Sequence, residues 1–195
     1  MSFMIEETAN YKGNKIVYFK SEAAGSKKNI ILLHGYSFES SVWDTIGLPT
    51  ALNKIGYNVY AIDEPEFPKS RNKQISNDLF FDFLKDFITK LGGSCLLGSS
   101  AGGYLAAKFS EENASLVKCL ILVGAVNLNE ITNLSGVKLL GVWGSLDNIS
   151  NPESASKELE RLGGKLIIIK GARHACYLDR PDDFNKIVAN FLEKL

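Results

Sequence analysis

The chain has 195 residues, 45% hydrophobic and 23% charged, an ordinary globular balance with length enough for one sizeable core. Its 22 Lys and Arg balance 22 Asp and Glu with no long run of one sign, so nucleic acid and an anionic membrane are excluded as expected partners. The longest strongly apolar run, Cys119 to Val126, falls far short of the ~20 residues that span a bilayer, so no membrane partner is expected.

The polar, partly acidic start MSFMIEETANYKGNK lacks the basic and apolar regions of a secretory signal. Cys95, Cys119 and Cys176 are odd in number and widely spaced, and two lie in apolar runs, which suits a reducing compartment better than a disulfide framework. The expectation is a cytoplasmic protein. His34 and His174 are far apart and no C-x-x-C occurs, so neither a metal site nor a cofactor is expected.

Along the chain, the stretch from about Phe3 to Ser21 reads as two extended segments about the turn-like Lys12-Gly13-Asn14, an antiparallel hairpin at a sheet edge. Apolar, β-rich runs follow at Asn29 to Leu33, Asn58 to Ile62, Cys95 to Leu97, Cys119 to Val123, Lys138 to Trp143 and Lys165 to Ile169. Between most of them, helical spacing runs over Val42 to Ile55, Leu79 to Leu91, Ala101 to Glu112 and Pro152 to Leu162, and a last helix over Asp182 to Leu195. This alternation predicts an α/β fold: a mostly parallel sheet with crossover helices on both faces, its strands continuously apolar because both faces are covered. No linker, repeat or low-complexity tract divides the chain, so residues 1–195 read as one domain. The loosest stretches, Glu64 to Gln74 and Asn127 to Gly136, follow predicted strands and should border a site, because ligands in open α/β sheets bind beyond the strand C-termini.

Gly98-Ser99-Ser100-Ala101-Gly102 matches G-x-S-x-G, a sharp strand-to-helix turn that presents a nucleophilic Ser. Alone it is weak: about 0.13 matches arise by chance in a chain of this composition. The context strengthens it, since an apolar strand precedes the motif and a helix follows, aiming free N–H groups at Ser100. The spacing selects Ser100 over Ser99, whose flanks would be Leu97 and Ala101.

A Ser hydroxyl needs a base, and in this arrangement the partners follow in the order Ser, acid, His. His34 precedes Ser100, which leaves His174, on a loop after the strand Lys165 to Ile169. The acid belongs at the end of the preceding strand, where Val142-Trp143-Gly144-Ser145-Leu146-Asp147 offers Asp147; the earlier strand end offers only the uncharged Asn127 and Asn129. Backbone N–H groups of Ala101 and, by the His34-Gly35-Tyr36 loop, of Tyr36 are the expected oxyanion donors. His34 itself reads as a hydrogen-bonded structural residue. Phe38 and Tyr104 are expected substrate contacts, and Tyr36 and Trp43 further wall or core residues.

These residues resemble the α/β-hydrolase superfamily across nearly the whole chain, from Ile30-Ile31-Leu32-Leu33-His34-Gly35 to the C-terminal helix. Gly171-Ala172-Arg173-His174-Ala175-Cys176-Tyr177-Leu178-Asp179-Arg180-Pro181 and Phe38-Glu39-Ser40-Ser41-Val42-Trp43 are similar to the small, cap-less abhydrolase-domain fourteen (CIB-type) branch. The resemblance implies an eight-stranded-type sheet and hydrolysis of small acyl esters or thioesters through an acyl-enzyme on Ser100, Asp147 and His174. It also implies an alternative, acyl transfer from an acylated amine to coenzyme A. A small-molecule acyl substrate is the expected partner.

One departure stands out: many relatives carry a Gly-rich Asp-x-Pro-Gly-x-Gly-x-Ser loop where this chain has Asp63-Glu64-Pro65-Glu66-Phe67-Pro68-Lys69-Ser70. Glu64 and Glu66 are expected as solvated charge at the rim. Asn127 to Val137 is too short for a helical cap, so the pocket should be shallow and open. A non-catalytic interaction protein on the same fold is the competing class, disfavoured by the complete set of three residues.

Overall fold

The computed structural model describes residues 4–195. Eight strands form one sheet in the order β1-β2-β4-β3-β5-β6-β7-β8. β1 (Ile5–Tyr11) and β2 (Asn14–Ser21) make the hairpin at one edge, turning on Lys12 and Gly13, both at positive φ as a two-residue hairpin turn requires. Phe3, at the start of the expected hairpin, lies outside the described residues.

β2 runs antiparallel to β4 (Tyr57–Ile62); β3 (Lys28–Leu33), β4, β5 (Ser94–Ser99), β6 (Val117–Val123), β7 (Lys138–Gly144) and β8 (Lys165–Ile169) are parallel. The six apolar runs thus form the expected parallel strands. Their side chains alternate between two cores. Ile31, Leu33, Leu96, Leu120 and Leu122 pack under α3 (Asn77–Lys90), α4 (Ala101–Glu112) and α5 (Pro152–Arg161). Ile30, Leu32, Leu97, Ile121 and Val142 pack on the opposite face, against the helices described next.

The expected helix Val42 to Ile55 is two helices, α1 (Ser41–Thr45) and α2 (Leu48–Lys54). Gly47 between them takes the left-handed φ of 69°, and Pro49 opens the second helix without an N–H to give. The last helix, α7 (Pro181–Leu192), begins one residue earlier and ends three earlier than its apolar spacing suggests. A short α6 (Cys176–Asp179), not expected from the spacing, precedes it. Only residues 124–137 separate β6 from β7, with one 3-10 turn at Leu128–Glu130 and no helical cap.

Cysteine usage requires a correction. Cys95 and Cys119 are direct register partners on β5 and β6, with Cα atoms 4.6 Å apart, and are joined as a disulfide. Their separation of 24 residues conceals this, because pairing depends on the register of two strands. Cysteine usage therefore gives no support to a reducing compartment. Among the described residues, no helix is long and apolar enough to cross a membrane.

Phe184 of α7 is fully buried and packs on Tyr177, with ring centroids 5.8 Å apart. Phe184→Ala should cost about 3–5 kcal/mol through the cavity it leaves. Thermal unfolding followed by circular dichroism should show a midpoint roughly 6–20 °C lower, and Phe184→Leu a clearly smaller shift.

Candidate active site

The strand order reverses at β3: the chain leaves it toward β4 on one side and returns to β5 on the other. The crevice beyond the C-terminal ends of β3 and β5 is therefore the topological switch point. His34-Gly35-Tyr36 leaves β3 there, and Ser100 follows β5 there.

Ser100 holds φ 53°, ψ −119°, a conformation few non-glycine residues adopt. Its surroundings enforce it. The Ser100 N–H donates to the Val123 carbonyl (2.9 Å), and the Ser100 carbonyl accepts from Tyr104 (3.1 Å) and Val126 (3.4 Å). A Cβ on Gly98 would strike the Gly102 backbone, and one on Gly102 would strike the His34 carbonyl and the Glu64 carboxylate. The motif glycines are thus demanded by backbone packing on both sides of the turn.

Asp147 lies in the turn after β7, nearly buried, its Oδ1 accepting from the N–H groups of Ile149 and Ser150 at 2.9 Å each. Its Oδ2 is 2.8 Å from His174 Nδ1, and His174 Nε2 is 2.9 Å from Ser100 Oγ. With a carboxylate on Nδ1, the neutral ring carries its proton there and leaves Nε2 to accept from the Ser hydroxyl. The turns bearing Asp147 and His174 are stitched together: Leu146 N–H donates to the Ala172 carbonyl (2.9 Å), and Gly171 N–H to Ser145 Oγ (2.8 Å).

Gly35, Tyr36, Phe38, Ser100, Ile149 and Tyr177 line a cavity of about 130 Å³ over the Ser hydroxyl. A second, larger cavity of about 460 Å³, lined in part by Asn127, Asn129 and Ser154, shares Ile149 with it. Among the described residues, neither the Tyr36 nor the Ala101 N–H is engaged by an acceptor in the chain. Tyr104 stands apart from the pocket, its hydroxyl donating to Glu130 at 2.6 Å. Trp43 is fully buried against Tyr177, a core residue rather than a wall. Cys176 is buried, and burial, with the Asp147 charge behind it, pushes its thiol up to about 12, a protonated packing group.

The expectation of solvated charge holds for Glu66, which is exposed and accepts from Asn77 Nδ2 (2.9 Å), and fails for Glu64. Glu64 has no solvent exposure, and its carboxylate lies 2.9 Å from Nε2 of the equally buried His34. Burial pushes the Glu64 carboxyl above the usual range; burial also works against charge on His34, but Glu64 outweighs it and holds the imidazole above its ordinary value. Sequence reasoning missed this pair. The available signal was an acidic pair, Asp63-Glu64, directly after the strand Tyr57–Ile62. It also missed Ile149 and Tyr177, which only the folded loops bring to the pocket.

His174 is held by its neighbour. Arg173 donates to Asp179 through its backbone N–H (2.8 Å), Nε (3.1 Å) and Nη2 (2.7 Å), and these bonds lower the Asp179 carboxyl to about 2. A lowered carboxyl stabilises fully above its unfolded value of about 4 and loses that contribution as pH falls toward 2. Asp179→Asn should therefore lower kcat several-fold at neutral pH. It should also flatten the fall of the thermal midpoint between pH 4 and pH 2, which melting curves across that range measure.

The family described as Serine aminopeptidase, S33, matches residues 24–134, more than half of the chain. ABHD14A of Danio rerio is 29% identical over 174 residues, 85% of this chain and 64% of that protein, so the chain spans just under two thirds of that relative's length. ABHD14B of Pongo abelii, named as a protein-lysine deacylase, is 26% identical over 205 residues, 97% of this chain and 96% of that one. A CIB-like hydrolase of Thermoplasma acidophilum superposes over 100% of both chains with a TM-score of 0.86 and 28% identity. The chain therefore belongs to the Serine aminopeptidase, S33, family, and it is an α/β-hydrolase of the ABHD14 branch.

Proposed function

We propose that the chain, read as one domain over residues 1–195, is a serine hydrolase that cleaves small acyl esters or thioesters through an acyl-enzyme on Ser100. The observation that carries this reading is the unbroken line Asp147 Oδ2, His174 Nδ1, His174 Nε2, Ser100 Oγ, with contacts of 2.8 and 2.9 Å, opening on the 130 Å³ cavity. Ser100 Oγ attacks the acyl carbon while His174 Nε2 takes its proton, and Asp147 holds the ring and stabilises the imidazolium. The carbonyl electrons move onto oxygen, where the N–H groups of Tyr36 and Ala101 receive them. On collapse, His174 returns the proton to the departing alcohol or thiol. Water, deprotonated by the same nitrogen, then releases the acid and restores Ser100.

A deacylase acting on acyl-lysine is the second reading. It is favoured by the name that ABHD14B carries and by the larger cavity adjoining the pocket through Ile149. It uses the same residues, with an amine as leaving group.

Ser100→Ala should abolish labelling by a fluorophosphonate probe and nearly all turnover of p-nitrophenyl acetate, while Ser99→Ala keeps much of both. Without the nucleophile, a residual rate of roughly 10³–10⁴ over water is the most expected. Undiminished labelling of Ser100→Ala would remove the nucleophile from this residue.

Across p-nitrophenyl esters from acetyl to palmitoyl, kcat/KM should be greatest for acetyl to butyryl. Each buried methylene gains about 0.8 kcal/mol, and a small cavity without a cap has little wall for a long chain. A steady climb to the longest esters would require an acyl tunnel and would overturn the short-acyl preference.

A further inference from the structure

Among the described residues, the Glu64 and His34 pair is an ionisable cluster beside the pocket that the proposed mechanism does not use. Both side chains are fully buried, so they do not meet substrate. The carboxylate lies 2.9 Å from Nε2 but off the line of an N–H bond, an ion-pair contact more than a straight hydrogen bond. Asp63 adds a second carboxylate 3.6 Å from the same nitrogen, but its oxygens are already committed to the N–H groups of Ser40 (2.8 Å) and Arg71 (3.1 Å). The Glu64 carboxylate, by contrast, faces the ring.

The other side of the ring leads to the pocket. His34 Nδ1 is 2.9 Å from the Gly35 carbonyl oxygen, and a carbonyl only accepts, so Nδ1 carries a proton and donates it there. The same oxygen accepts from the Phe38 N–H at 2.9 Å, so two donors fix this peptide plane. In a trans peptide, the N–H points away from its carbonyl. With the Gly35 carbonyl turned inward onto His34 and Phe38, the Tyr36 N–H points the other way, and Gly35 and Tyr36 both line the cavity over Ser100. Withdrawing electron density from that carbonyl strengthens the N–H as a donor, the cooperative effect of chained hydrogen bonds.

We propose that Glu64 is a positioning residue for transition-state stabilisation: through His34 and the Gly35 carbonyl it orients and polarises the peptide whose Tyr36 N–H receives the oxyanion. The inference rests on the Ser100 reading given above and adds a residue to it. Gly102 reports how closely the two are built together, since a Cβ there would meet both Glu64 and the His34 carbonyl. A bulkier elbow would displace the carboxylate from beneath the site.

The test compares the parent protein with Glu64→Gln, Glu64→Leu and Ser100→Ala. The readings are kcat and KM on p-nitrophenyl acetate, the inhibition constant of a methyl trifluoromethyl ketone, and the thermal midpoint. Such a ketone adds to a Ser hydroxyl to form a tetrahedral oxyanion, so its affinity reads the donor directly, whereas KM reads ground-state binding. Glu64→Gln keeps shape and removes charge. Its kcat and ketone affinity should fall together by about 3- to 10-fold, with KM and midpoint unmoved. Glu64→Leu should fall further on both where it folds; the Gln variant decides the matter where it does not. A Glu64→Gln protein that matches the parent in ketone affinity, whatever its kcat, overturns the proposal. Failure of the Ser100 reading is separately visible as equal ketone affinity in the parent and in Ser100→Ala.

Discussion

The site depends on a backbone constraint. For Ser100 to stand clear of both strand and helix, β5 must reverse into α4 within one residue at positive φ, and that reversal exists only while the ends of β3 and β6 press against it. The glycines at 98 and 102 are the sequence's record of that pressure. Everything downstream inherits its position from it: α4 starts where its N–H groups face the pocket, and the His34 to Tyr36 loop passes close enough for Gly35 to sit beside the Ser100 side chain.

Around this fixed point, the proposed acid and base, Asp147 and His174, come from loops that hold one another more than they hold Ser100. Asp147 is anchored by two N–H groups of its own turn, and the His174 turn is pinned to it through Leu146 and Ser145. The elbow contributes strain and the paired loops contribute alignment, and the two parts meet at the contact between Nε2 and Oγ.

Much of this was legible in the residues themselves. Ala101 to Glu112 has the same bounds as read from apolar spacing, because that spacing reports its buried face. Lys165 to Ile169 also keeps its bounds, but as the edge strand it leaves Ile167 and Ile168 exposed, so its apolar run does not mean that both faces are covered. The order Ser, Asp, His along the chain places all three residues at one end of the sheet once the strands are parallel. What was not legible depends on where distant segments land. Gly47 interrupts a stretch whose spacing is helical on both sides, so one helix was read where two exist. Cys95 and Cys119 become neighbours only through strand register. Tyr104 has the type of a pocket residue, but its place on α4 gives its hydroxyl to Glu130. Glu64 lies in a stretch with the composition of a surface loop, and it meets His34 only because the paired strands β3 and β4 end in register, Leu33 opposite Ile62.

The brief connection between β6 and β7 has a kinetic meaning. Fourteen residues, 124–137, with one 3-10 turn, give this connection no helical element to swing over the Ser100 hydroxyl. In the proposed cycle, substrate arrival and product departure are then plain diffusion, with no closing step to commit the complex and no opening step to delay release. In that proposed cycle no helical cap from this connection covers an acyl-enzyme on Ser100. Its fate is a competition between water and whichever other nucleophile occupies the neighbouring cavity, so the balance of hydrolysis and transfer follows the local concentration of the competitor.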